Sequence, residues 1–260
     1  MPAKSAMTQT LFARLLESMR RCAWLMLCLV PQLQAEVLHL TSLHWPPYSS
    51  QNLANQGAVV AVVRAAVEAM GHELEVDFYP WSRAIKLANM PNAQYVGYFP
   101  EYGFKTDKYL FSSSLGSSPL GLVEQRLHPI SWVQLRDLNQ YTLGVVRDYV
   151  NTEELDAMIS AGVQKVEFSS SDEHNVRKVA AARVDAAVID VHVLNYILKQ
   201  GGFEGLASRL QVNRRLLADK QLYIAFQNSA QGRRWRAITD AGLQKIDVAK
   251  ILHDNLGQTP

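Results

Sequence analysis

The sequence predicts an α/β protein built as two similar lobes. Three observations carry this reading: short extended apolar runs alternate with helical ones, the alternation comes in two successive sets, and one strand is left over after the second set. Alternation of this kind belongs to β/α units with largely parallel sheets. No internal repeat of the length that marks a solenoid is present.

The first set opens with "EVLHLTSL" (36–43), which reads as a strand. It runs into "SLHWPPYSS" (42–50), where two prolines hold the chain out of helix and fix Trp45 and Tyr48 on a stiff loop. Rings held in that way serve either a core or a binding wall. "GAVVAVVRAAVEAMG" (57–71) is a helix with an Ala/Val-rich buried face, "HELEVDFYP" (72–80) alternates as a strand, "WSRAIKLANM" (81–90) is helical, and "YVGYF" (95–99) is a strand.

A Gly/Ser/Pro-rich passage, "SSSLGSSPLG" (112–121), separates the sets. Beyond it, "YTLGVV" is a strand and "TEELDAMISAG" a helix that Asn151 or Thr152 can cap. "KVEFSS" is a strand, and "SDEHNVRKVAAARV" a helix capped by Ser171 or Asp172. "DAAVIDV" is a further strand, and "HVLNYILKQGG" a helix ending in glycine. The tail holds the leftover strand "QLYIAF" and one long basic amphipathic helix over 229–246. If that strand returns to the first lobe, the chain crosses between lobes twice, near 116–122 and 216–221. Such a double crossing makes a two-strand hinge beside a cleft. The expected division is a leader over 1–35, lobe 1 over 36–120 and 218–260, and lobe 2 over 121–217.

The leader reads as a secretory signal peptide. Lys4, Arg14, Arg20 and Arg21 precede the apolar run Cys22 to Val30, followed by Pro31 and the small Ala35. That run is short for a bilayer span. A start at Met19 would also give a compact signal. Both cysteines, Cys22 and Cys28, lie in the leader, so the mature chain is expected to carry no disulfide, in keeping with passage through an oxidising compartment. Setting aside the four basic leader residues and Glu17 reduces the 26 basic and 24 acidic residues to 22 and 23. A charge so close to neutral gives no reason to expect a nucleic acid or an anionic membrane as partner. The seven histidines show no HExxH spacing, and neither Gly-x4-Gly-Lys nor G-x-S-x-G is present. No catalytic residue, metal or cofactor is expected.

The order of "WPPYS", "YLFSSSLG", "LNQYTLGVVRDY" and "VAAARVDAAVIDVHVLNYIL" resembles the family 3 bacterial extracellular solute-binding proteins. The likeness runs across nearly all of the mature chain. It implies a type II periplasmic binding protein, a monomer that takes a small-molecule ligand, amino acid or amino-acid-like, and delivers it to an inner-membrane ABC permease. It further implies that Asp190, at the end of "AAVID", receives the ligand's ammonium group; the plainer role for Asp190 is a helix N-cap. Where amino-acid binders of the family carry a carboxylate-clamping arginine, this chain has Lys105, which lacks the planar fork. Where they carry glycine after the "GVxR" strand, it has Asp148. Both departures count against a standard amino acid. Arg83 or Arg147 could supply the missing cation. Trp45 and Tyr48 are expected to form an aromatic wall of the cleft, with Trp81 and Tyr98 nearby. Two alternatives stay open: a dehydratase-like enzyme acting on a cyclic acid, and a ligand-loaded sensor acting on a separate membrane receptor.

Overall fold

The computed structural model describes residues 35–91 and 93–257. The expected signal peptide and both cysteines lie outside the described residues. No helix among the described residues is long and apolar enough to cross a membrane.

Strand β1 (Val37–Ser42) lies between β2 (Glu73–Phe78) and β3 (Gly97–Tyr102), parallel to both. In the other half of the molecule β6 (Leu143–Val146) runs parallel to β7 (Val166–Ser169) and to β8 (Ala186–Asp190). Two long strands join the halves. β5 (Ser117–Gln125) pairs antiparallel with β8, and β10 (Ala218–Gln227) runs from one half into the other. The first part of β10, Ala218 to Gln221, pairs with β5, whereas Leu222 to Phe226 pair with β3. The molecule is therefore two-lobed, and its lobes are linked by a two-strand hinge.

Two short strands complete the sheets: β4 (Tyr109–Phe111) on β10 and β9 (Leu210–Val212) on β5. Neither is evident in the sequence, and most of β5 lies in and beyond the passage read as a Gly/Ser/Pro-rich spacer. Its pattern is irregular because both of its ends are paired, to different partners. The long tail helix is also corrected. It ends at Leu243, and a separate helix follows from Val248, capped by Asp247.

Helices cover the sheets. α1 (Ala58–Glu68) buries nearly its whole Ala/Val surface against the first sheet, α6 (Ala230–Leu243) and α7 (Val248–Leu256). β-branched residues are indifferent helix formers, so tertiary packing stabilises this helix. α6 approaches so closely that a Cβ on Gly242 would lie 1.9 Å from the Ala66 carbonyl oxygen. α2 (Trp81–Ala88) follows β2. In the second lobe α3 (Glu153–Ser160), α4 (Asp172–Ala180) and α5 (Val191–Ile197) are each capped by a side chain, from Thr152, Ser171 and Asp190 respectively. α5 is shorter than the "HVLNYILKQGG" pattern suggested.

Candidate functional site

In open α/β sheets the carboxyl ends of parallel strands face the ligand crevice. Here those ends meet across the seam between lobes. The turn after β1 carries Trp45 and Tyr48, folded tightly by Trp45 N donating to Ser49 O at 2.7 Å. β3 ends in Glu101 and Tyr102, β6 is followed by Asp148 and Tyr149, β7 leads to Ser171 and Asp172, and β8 ends at Asp190.

Polar ring groups of the first lobe reach acids of the second. Trp45 Nε1 donates to Asp172 Oδ2 at 3.1 Å, and Tyr48 OH donates to Asp190 Oδ2 at 3.0 Å. Ser118, on hinge strand β5, donates to the same Asp190 oxygen at 2.5 Å and lies 2.6 Å from the Tyr102 hydroxyl. With Asp190 as acceptor, the chain runs Tyr102 to Ser118 to Asp190. The other Asp190 oxygen accepts from Val193 N at 2.9 Å. The N-cap role and the crevice role are thus filled by one carboxyl group.

The rings of Trp45 and Tyr48 stack with centroids 4.7 Å apart. Trp45 also meets Tyr102 and Tyr149 edge-on, at 77° and 84°, and Tyr149 meets Trp81 at 84°. These rings enclose a cavity of about 30 Å³ lined also by Leu43, Pro100 and Glu101. That is room for a water molecule or an ammonium-sized group. A second void, about 20 Å³, lies between Trp45, Tyr102 and Tyr149 on one side and Asp172 and Asp190 on the other. An outer chamber of about 440 Å³ shares Leu43, Trp81 and Tyr149 with the inner cavity and is lined by Phe78, Tyr79 and His44 and by polar groups such as Gln51, Asn52 and Ser170.

The residues singled out in the sequence divide into two groups. Trp45, Tyr48, Trp81 and Asp190 come together at the seam, and Tyr98 stands behind Trp81 with ring centroids 5.3 Å apart. Ser49 and Ser50, beside Tyr48, are buried, as is Tyr48 itself. The cations do not converge. Lys105 is exposed in a shallow surface hollow with Phe104 and Glu153. Arg147 is exposed with its guanidinium over Phe168, and Arg83 is exposed over Tyr79. For Arg83 and Arg147 a flanking ring offers a stacking face with less desolvation than the seam. Asp148 has φ 64°, the left-handed region that suits the glycine it replaces. It bridges the lobes by accepting from Ser82 Oγ through its side chain and from Trp81 Nε1 through its carbonyl, but lines none of the chambers.

Sequence reasoning missed Glu101, Tyr102, Tyr149 and Asp172. Asp172 appeared only as an alternative helix cap; Ser171 is the cap and Asp172 is the first helical residue, where its charge suits the helix dipole. Glu101 lies two residues past the run read as β3, and an acid inside so apolar a strand was the available signal. Burial pushes the Glu101 carboxyl up to about 8 and that of Asp172 up to about 7. Asp190 is raised for the same reason, against the opposing effect of its hydrogen bonds from Ser118 and Val193.

No family model matches the chain, and no curated protein does. Solved structures do match. A histidine kinase sensor domain with similarity to periplasmic binding proteins superposes with TM-score 0.70 at 20% identity, covering 86% of this chain and 96% of that one. The GluR0 ligand-binding core from Nostoc punctiforme, in complex with L-glutamate, gives 0.63 at 15%, covering 84% and 96%. An amino acid ABC transporter substrate-binding protein from Streptococcus pneumoniae bound to L-arginine gives 0.64 at 15%, covering 85% and 94%. The chain has the two-lobed fold of the periplasmic amino-acid-binding proteins.

Proposed function

We propose that this chain is a periplasmic solute-binding protein that closes its two lobes on a small polar solute and presents the loaded form to an inner-membrane ABC importer. The observation that carries the reading is the set of hydrogen bonds across the seam. Trp45 and Tyr48 of one lobe reach Asp172 and Asp190 of the other at the carboxyl ends of the strands. A solute that joins such groups favours the closed form, and differential affinity for that form lets a membrane partner distinguish loaded from empty protein. The leader pattern supports export to the periplasm.

The test is thermal unfolding of the mature protein, stripped of solute by unfolding and refolding, against amino acids, amines, organic acids and cyclic acids. A solute at a hundred times its Kd adds about 2.7 kcal/mol, which at this size is a rise of roughly 5–10 °C. Absence of any shift across all four classes would refute the reading.

A second reading is supported by the histidine kinase sensor domain among the similar structures. In it, the loaded protein docks on a membrane receptor. Capture of the partner from membranes separates the two. The dehydratase reading finds one of its requirements in Glu101, an acid still protonated at neutral pH. Its other requirement, a cationic clamp for a ring carboxylate, has no candidate among the described residues that line the chambers.

A further inference from the structure

Three carboxyl groups stand at the seam with little access to water: Glu101 is 5% exposed, Asp172 7% and Asp190 2%. None forms an ion pair with a lysine or arginine among the described residues. Glu101, like Asp172, accepts a single hydrogen bond from another residue. Its Oε1 accepts from Tyr102 N at 2.8 Å, while no hydrogen bond from the described residues reaches Oε2, although the side chain borders the inner cavity. Buried carboxylates are retained at several kcal/mol of cost unless a partner arrives or they stay protonated. Lys220, half-buried with Nζ 5.1 Å from the Tyr102 ring centroid, is close enough to ease the Glu101 charge in part, but it forms no ion pair with it and lines none of the chambers.

The walls around Glu101 have a matching chemistry. Trp45, Tyr102, Tyr149 and Trp81 meet one another at 77–84° and box in a cavity of ammonium size. Rings arranged in this way, close to a carboxylate, attract an organic cation through their faces. The site does not suit a metal, since no three acids, histidines or cysteines among the described residues converge closely enough to hold one. Nor does it suit a carboxylate on the solute. Neither the inner voids nor the outer chamber is lined by lysine or arginine; Lys105 and Arg147 are exposed elsewhere, and Arg83 is exposed over Tyr79, one of the outer chamber's wall residues.

From this geometry we infer that the solute is a small organic amine without a carboxylate group. Its ammonium head enters the Trp45–Tyr102–Tyr149 box beside Glu101, and its body occupies the outer chamber of mixed apolar and polar lining. The inference rests on the solute-binding reading and narrows it to one chemical class.

Matched pairs that differ only in the carboxylate test it directly: agmatine against arginine, cadaverine against lysine, putrescine against ornithine, each titrated by calorimetry into the refolded mature protein. The amine of each pair is expected to bind at least about 30-fold more tightly, since a buried carboxylate without a counter-charge costs that much or more. Glu101→Gln is expected to weaken amine binding at least about tenfold, with the folded state checked by circular dichroism. Should that variant fail to fold, Tyr149→Leu, at a partly buried wall, is expected to weaken it about threefold through loss of the ring face. Equal or tighter binding of the amino acids would overturn the amine assignment and leave solute binding standing. So would unchanged amine affinity in a folded Glu101→Gln protein. Silence from both members of every pair while another class binds also overturns the amine assignment alone; silence from every class removes the solute-binding reading with it.

Discussion

Replacing Asp172 by asparagine changes the cost of burying a charge while keeping the shape of the site. The amide oxygen can still accept from Trp45 Nε1, which lies 3.1 Å from Asp172 Oδ2. The carboxyl group is held up at about 7 in the folded chain against an ordinary value of 3.8. As pH rises past 4 the unfolded chain releases this proton while the folded chain keeps it until about 7. Stability is therefore greatest below pH 4 and is lost progressively up to about pH 7. A gap of about three pH units corresponds to roughly 4 kcal/mol, a ceiling because lobe opening offers a cheaper release than unfolding. The ionised group at the start of α4 also gains about 0.3–1 kcal/mol from the helix dipole, which the variant forgoes. The net expectation for Asp172→Asn is a gain of about 2–3 kcal/mol at pH 8.5, or on the order of 5–10 °C in Tm. Near pH 4 the gain vanishes. Calorimetric unfolding of both proteins from pH 4 to pH 9 measures this. A difference in Tm that stays constant with pH, or a wild-type protein that is the more stable above pH 7, would refute burial as the cause.

Small-angle scattering should show the mature protein expanding between pH 6 and pH 9, as Asp172 and then Glu101, raised to about 7 and about 8, ionise and push the seam apart. An unchanged radius of gyration would mean that the seam accommodates both charges. Amine affinity should rise across the same interval, by up to about tenfold per pH unit for each proton displaced, and proton release can be read from calorimetry in buffers of different ionisation enthalpy. Tyr48→Phe removes one donor to Asp190 without opening a void and should cost about 1–3 kcal/mol in denaturant unfolding at neutral pH. Gly242→Ala forces α6 away from the Ala66 carbonyl and should cost about 1–3 kcal/mol or more, with no effect on solute affinity.

The sequence makes the fold legible because the parallel strands and their helices follow local periodicity, and because the leftover strand "QLYIAF" had to pair with one of the lobes. The hinge strand β5 was harder to read. Ser117, Ser118 and Pro119 look like a linker, and their strand geometry comes from pairing with β10, about a hundred residues away in sequence. The site was half legible for a similar reason. Trp45 and Asp190 carry local signals, the proline-stiffened loop and the strand-to-helix junction. Glu101 and Tyr149 acquire their significance only from what faces them across the seam. The cations lie outside the chambers. Arg83, Lys105 and Arg147 sit near motifs that place them at the crevice rim, yet long cationic side chains are free to turn toward solvent and aromatic faces.

The seam offers a physical account of why closure would depend on a solute. Closing the lobes withdraws Glu101, Asp172 and Asp190 from water together, and like charges at close range add to the desolvation cost of each. Ser118, Tyr48 and Trp45 offset part of this by hydrogen bonds to Asp172 and Asp190. Glu101 receives only the Tyr102 amide and partial relief from the half-buried Lys220, so closure near neutral pH is favoured either by retaining its proton or by a cation supplied from outside. A cationic solute does the second and adds contacts with rings contributed by both lobes. Its interaction energy is then available in the closed form and largely absent in the open one, which is the difference a partner needs in order to read occupancy. Protonation provides the other route, so lowering the pH should close the empty protein. Scattering on solute-free protein at pH 5 and at pH 8.5 would tell these apart: a compact form at both would make the acids bystanders, and a compact form only at pH 5 would make them the gate.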